Sequence, residues 1–295
     1  QKISTPIIEH SSIFEKSLGL TSDIISKEMY SFVDKGGDSI VLRPEGTAAI
    51  SRALVSNSLQ EKNLKKFFYY GPMFRREKPQ HGRMRQFHQV GVENFADLNF
   101  LCDLEVILMA EMLIKKLDIK NKLKLEINSL GNAESRKRYE KKLLEFLNDF
   151  KNDLSDESQK RLINNPLRIL DSKSVNDQKI IAKSPEIKEF LDEESLIFFQ
   201  NIIDGLKKLD ISFKINPNLV RGLDYYNHTT FEYKTFSDKS QNTVLAGGRY
   251  DGLVKSLGGK DIGGVGWAAG VERILINLPE KNIDKKIINF FSIDN

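Results

Sequence analysis

Of the 19 glycines in this chain, a single one, Gly205, falls between residues 132 and 213. Glycine is needed wherever backbone turns sharply or approaches another group closely, so a zone nearly free of it is restricted to regular structure. Its apolar residues say which kind. Tyr139, Leu143, Phe146, Leu147 and Phe150 recur at helical spacing, and Leu196, Phe199, Ile203 and Leu206 repeat the pattern. Residues 132–213 therefore read as a helical insertion domain. The flanks, 1–131 and 214–285, form one discontinuous domain with strand-like runs such as "KKFFYYGPMF", "LKLEINSLG" and "TTFEYKTF", mixed with the helical "DLEVILMAEMLIKKL". Hairpin strands with helices added predict an α+β fold, a largely antiparallel sheet flanked by helices.

Composition removes several function classes. The lone Cys102 excludes an internal disulfide, and four scattered histidines assemble no zinc site of CxxC or HExxH spacing. No apolar run approaches the roughly 18 residues needed to span a bilayer, and the N-terminus lacks a signal-peptide layout. The expectation is a cytoplasmic protein with no membrane partner. The sequence opens without Met and stops inside the apolar run "KKIINFFSIDN", which reads as a piece of a longer parent.

The charge is locally concentrated rather than globally high. Overall, 45 Lys+Arg stand against 41 Asp+Glu, a net charge of +4 that decides nothing alone. Yet "FRREKPQHGRMRQF", residues 74–87, holds five Arg and Lys between two phenylalanines. Read as two strands joined through "KPQHG", where Pro79 cannot donate to a ladder and Gly82 frees the turn, it places Arg83, Arg85, Phe87, Gln89 and Glu93 on one face of the return strand. Arg75 and Glu77 share a face of the outgoing strand, and the register that would merge the two sets is an assumption at this point. Such a surface suits a nucleotide: Arg forks match phosphate, a Phe face stacks on a base, and a carboxylate accepts from an exocyclic amine. No GxxxxGK[ST] occurs, and "GGVGWAAG" misses GxGxxG by one position, so a P-loop and a dinucleotide fold are both unsupported.

Three further segments carry polar groups in company. "LRPEGTAA", 42–49, sets Glu45 and Thr47 where a helix begins, as a helix cap or as a seat for an ammonium group. "LVRGLDYYNHTTFEY", 219–233, brings Arg221 near Tyr225 and Tyr226, with Gly222 breaking the strand between them and His228 read as exposed or paired. "AGGRYDGLVKSLGGKDIGGVGWAAGVERILINL", 246–278, contains Tyr250 and ends in a helix whose Val271, Ile274, Leu275 and Leu278 form the core stripe, with Arg273 nearly opposite.

Together these segments resemble class II aminoacyl-tRNA synthetases, specifically the bacterial-type histidyl-tRNA synthetase family, over essentially the entire chain. "STPIIEH" is similar to the end of that class's motif 1, "FRRE" with "RQFHQVGVE" to motif 2, and "GGVGWAAGVERI" to motif 3. "LVRGLDYYNHTTFE" and "AGGRYDGL" resemble the two histidine-specific signatures. The resemblance implies a class II-type sheet with a helical insertion domain, and residues 286–295 as the start of an absent C-terminal anticodon-binding domain. It implies ligation of L-histidine to tRNA(His) through histidyl-adenylate, with ATP and its accompanying Mg²⁺, in a homodimer.

Carried over position by position, the resemblance gives Arg75 and Arg221 the catalytic α-phosphate. It gives Glu77 the adenine amine, Phe87 the adenine face, and Arg83 and Arg273 the outer phosphates. Glu45, Thr47 and Gln89 would bind the α-amino group of histidine, Glu93 and Tyr226 its imidazole, and Tyr225 and Tyr250 would complete that pocket; no protein metal ligand is implied. A catalytically silent relative, the regulatory subunit of ATP phosphoribosyltransferase, is the alternative. Arg75, Arg221, Arg273, Glu77 and "RGLDYY" are all present, so nothing marks the site as disabled. A plain nucleic-acid module would explain the cations but not Glu45, Glu93 or the glycine-rich third segment.

Overall fold

The computed structural model describes residues 1–19, 22–62, 64–80, 82–96, 98–236 and 242–279. The expected segment 286–295, and residues 280–285 of the expected flanking domain, lie outside the described residues. The strands are β1 (Ile8–His10), β2 (Tyr30–Val33), β3 (Ser39–Leu42), β4 (Lys66–Phe74), β5 (Gln86–Asn94), β6 (Leu123–Ser129), β7 (Phe213–Ile215), β8 (Asn227–Thr235), β9 (Thr243–Arg249) and β10 (Val265–Gly270). The helices are α1 (Ser11–Leu18), α2 (Thr47–Ser56), α3 (Phe100–Lys116), α4 (Ala133–Asp149), α5 (Asp156–Asn164), α6 (Val175–Ile181), α7 (Glu193–Lys208), α8 (Leu253–Ser256) and α9 (Val271–Asn277). The main sheet runs β4-β5-β10-β9-β8-β6-β7, and β1-β3-β2 form a smaller one. Pairing in the main sheet is antiparallel except between β6 and β7, so the α+β expectation holds.

The basic hairpin is β4 and β5, and its register settles the open question of faces. Met73 lies opposite Phe87, Gly71 opposite Gln89 and Phe67 opposite Glu93. Directly opposed residues share a face, and the Arg75 N–H extends the ladder to the Arg85 carbonyl at 2.9 Å. Arg75, Phe87, Gln89 and Glu93 therefore lie on one side. The strands are shorter than expected, ending at Phe74 and Gln86. Past Arg75 the chain leaves its partner because the Arg76 N–H donates to the Glu28 carbonyl at 2.6 Å, while Gly82 turns with φ +73°. Glu77 and Arg83 thus stand on the loop.

One core cluster packs α3 and α7 against the sheet: Leu104, Ile107, Ala110 and Ile114 meet Phe199, Ile203, Leu206, Phe231, Tyr233 and Trp267. A second gathers Tyr139, Leu143 and Leu147 with Leu162, Ile169 and Ile181, and continues to Tyr226 and Tyr250. The zone 132–213 is helical as expected, with α4 and α7 N-capped by Asn132 and Asp192. Two placements differ from expectation. In α9, Leu275 is 59% exposed, because Arg273 is drawn inward by two carbonyls and a residue two positions on points the opposite way. His228 is buried at the irregular start of β8, with φ +44° and its ring 5.4 Å from that of Phe198; burial pushes its pKa down. Among the described residues no helix is long and apolar enough to cross a membrane.

Candidate active site

A cavity of about 630 Å³ opens over the face of β4 and β5 that carries Arg75. Eleven of the thirteen residues singled out in the sequence line it: Glu45, Thr47, Arg75, Glu77, Arg83, Phe87, Gln89, Arg221, Tyr225, Tyr226 and Arg273. The other two, Glu93 and Tyr250, lie beneath its floor, each 1% exposed. They are tied to it directly, for the Thr47 hydroxyl donates to Glu93 at 2.7 Å and the Tyr250 hydroxyl at 2.5 Å.

The helix-cap reading of Glu45 is realised, and the same side chain also lines the cavity. Its carboxylate accepts from the N–H groups of Thr47 (2.6 Å) and Ala48 (2.8 Å), the first turn of α2, and it also faces the cavity. Burial raises its pKa, opposed by those two bonds and by Arg75. Burial likewise pushes the Glu93 carboxyl up to about 8, against the Tyr250 and Thr47 hydrogen bonds and with a smaller push from Glu45. The phenols of Tyr225, Tyr226 and Tyr250 are raised too, again chiefly by desolvation. The floor is thus buried and polar, with Glu93, Thr47 and Tyr250 hydrogen-bonded to one another, which suits recognition of a small polar group.

Glycine explains how these groups fit so closely. Gly266 on β10 lies opposite Glu93, and a Cβ there would sit 2.0 Å from its carboxylate. Gly91 makes room for the Tyr69 ring, since a Cβ at 91 would lie 2.5 Å from the phenol carbon and oxygen. The glycine-rich third segment is therefore a close-approach device inside a strand rather than a phosphate loop.

The outer half holds cations that already have partners. Arg75 Nε donates to the Pro44 carbonyl at 3.0 Å, with its guanidinium 5.3 Å from the Phe87 ring centre. Arg83 pairs with Glu77. Arg221 lies 3.5 Å from Glu232, with its guanidinium 5.7 Å from the Tyr226 ring centre; the 219–226 stretch is irregular, which resolves the strand-parity conflict. Arg273 donates to the carbonyls of Gly82 (2.8 Å) and Thr243 (2.7 Å), and its pKa is lowered by burial and then by Arg75 and Arg83. Neutral carbonyls are weaker acceptors than charged oxygens, and a multiply charged anion can compete with the carboxylates for the same guanidiniums.

Sequence reasoning missed several contributors. Tyr69, buried beside Glu93 and Glu45, shares the strand parity of Arg75 and was legible in that sense. Arg168, Lys173 and Gln178 of the helical zone form an outer wall of the cavity, for which the sequence carries no local signal. Arg249 is wholly buried in an ion pair with Asp103 and bonds Asp251 at 2.9 Å, holding the end of β9 next to Tyr250. Among the described residues there is no cluster of three or more His, Cys, Asp or Glu side chains arranged to hold a metal.

Comparison with known proteins agrees with the geometry. The chain is 50% identical over 291 residues to the chloroplastic histidine–tRNA ligase of Gracilaria tenuistipitata var. liui, covering 98% of this chain and 69% of that protein. It is 50% identical over 277 residues to the histidine–tRNA ligase of Rickettsia canadensis, covering 94% of this chain and 67% of that protein. The apo histidyl-tRNA synthetase of S. aureus superposes with a TM-score of 0.72 at 36% identity, over 94% of this chain and 64% of that one. The model of the histidyl-tRNA synthetase family matches residues 1–274, and with the relatives it establishes that this chain belongs to that family.

Proposed function

We propose that the chain activates L-histidine with ATP, forming histidyl-adenylate and pyrophosphate, and that the histidyl group then passes to tRNA(His). What supports this most directly is one observation: Glu45, Arg75, Arg221, Tyr226 and Arg273, drawn from four distant segments, line a single cavity with Glu93 under its floor.

In the proposed step a carboxylate oxygen of histidine attacks the α-phosphorus, an O–P bond forms, and the bond to the bridging oxygen breaks as pyrophosphate leaves. Charge gathers on the α-phosphate, and the guanidiniums of Arg75 and Arg221 neutralise it from fixed positions. No side chain has to move a proton. Arg83 and Arg273 take the outer phosphates, Phe87 stacks on adenine, and Glu77 accepts from its amine, which requires the Arg83–Glu77 pair to open. Mg²⁺ enters with ATP as part of that substrate and screens its phosphates. Glu45, Thr47 and Gln89 receive the α-amino group, and Glu93 with Tyr226 receives the imidazole, Tyr225 and Tyr250 packing around it.

The reading carries further assignments with it. Residues 1–131 and 214–285 act as the catalytic domain and 132–213 as its insertion. A homodimer is expected, and Phe68 and Tyr70, exposed on the outward face of edge strand β4, offer apolar surface for it. The setting is cytoplasmic. Histidine-dependent ATP–pyrophosphate exchange by the purified chain tests the proposal; absence of exchange would point to the silent regulatory relative instead.

A further inference from the structure

One side chain joins the outward face of the hairpin to the ATP half of the cavity. His88 sits on β5 opposite Pro72, one position from Phe87 and Gln89, and so on the face away from the cavity. Its ring stacks on Tyr70, centroids 5.7 Å apart and planes at 16°. Its Nδ1 lies 3.0 Å from Glu272, and the same carboxylate accepts the His88 backbone N–H at 2.9 and 3.0 Å. An ionised carboxylate only accepts, so Nδ1 carries the proton.

Glu272 is the second residue of α9 and immediately precedes Arg273. With only seven residues, this helix has little stability of its own, and its orientation is set by what holds it from outside. Ile274 packs its first turn into the core, and polar groups fasten it as well, among them Arg273 to the Gly82 and Thr243 carbonyls and Glu272 to His88. Phosphate binding by Arg273 gives up the first set of bonds. The second set does not involve the Arg273 guanidinium.

We propose that His88 is a positioning residue of the ATP site: through Glu272 it fixes the first turn of α9, so that Arg273 keeps its place when its guanidinium trades the two carbonyls for phosphate. The inference rests on the adenylation reading above.

The test is ATP–pyrophosphate exchange with ATP and histidine titrated separately, on the unmodified chain, His88→Ala, His88→Asn, Arg273→Ala and the His88→Ala/Arg273→Ala double variant. His88→Ala should raise the ATP KM on the order of 10-fold, the worth of one charge-assisted hydrogen bond, and leave the histidine KM unchanged. His88→Asn, whose side-chain amide can still donate to Glu272, should recover most of the loss. In the Arg273→Ala background, His88→Ala should add almost nothing, because the group it positions is gone. Equal rises in both KM values, or a full additional loss in the double variant, would overturn the inference. Should His88→Ala fold too poorly to assay, His88→Asn carries the test through its own KM pair and its non-additivity with Arg273→Ala. A chain that exchanges normally while His88→Ala matches it sinks this inference alone; an unmodified chain without exchange removes the adenylation reading itself.

Discussion

The two halves of the cavity are built on opposite terms. The floor keeps Glu93 and Tyr250 1% exposed, ties them to each other and to Thr47, and depends on glycines for clearance. The outer half leaves its charged side chains partly open, Arg83 34% and Arg221 21%, each lying against an internal anion that a ligand can replace. The lesson is that selectivity and charge stabilisation need different mechanics. A pocket that rejects wrong side chains must be set before the ligand arrives. Cations that meet an arriving anion need partners they can exchange.

The largest effect should come from breaking the floor. Polar pockets of this kind discriminate by about 10⁴- to 10⁵-fold, and Glu93→Gln should surrender most of that, read as the ratio of kcat/KM for histidine over an apolar amino acid in the exchange assay. Unchanged histidine KM and unchanged preference would remove Glu93 from the pocket. The same variant carries a pH signature. The Glu93 carboxyl is raised from 4.5 to about 8 in the folded chain, so its stabilising contribution is complete below 4.5 and is lost as pH rises through about 8. Denaturant midpoints across that window should fall with pH in the unmodified chain and flatten in Glu93→Gln.

Breaking the outer half should cost less. Arg221→His should slow adenylate formation on the order of 10²- to 10³-fold with little change in histidine KM, measured by single-turnover formation of the adenylate; an unaltered rate would discard its assigned role. Smaller again is Gly91→Ala, which forces a methyl against the Tyr69 phenol and should lower stability by about 1–3 kcal/mol in urea titration. The mildest probe is salt: raising it from 0.05 to about 0.5 M shortens the screening length several-fold. ATP KM should then climb a few-fold while histidine KM holds. A parallel rise in both would erase the contrast between the halves.

Much of this is legible in the sequence. Strand parity on β5 already put Phe87, Gln89 and Glu93 on one face, and missing glycine marked the helical zone. Parity fails wherever the chain stops being a strand. Glu77 and Arg83 lie beyond the ends of β4 and β5, and Arg221 sits in an irregular stretch, so their meeting depends on loop geometry that spacing does not encode. Leu275 was misjudged for a related reason: the rotation of α9 is fixed by carbonyls on distant segments that hold Arg273. Arg168 and Lys173 reach the cavity only because the helical zone folds back over it, a long-range placement without a local signature.

The strand order has a consequence for how such a chain is made. The strand β5, finished by residue 94, takes as its sheet neighbour β10, which begins at 265. A growing chain leaving the ribosome therefore carries its basic hairpin with one edge open until residues 265–270 have been made. Arg221 and Arg273 emerge late, and pairings of such long sequence separation form slowly. A half-made copy that ends before residue 221 owns the cations of the first hairpin but lacks the Arg221 and Arg273 walls of the cavity.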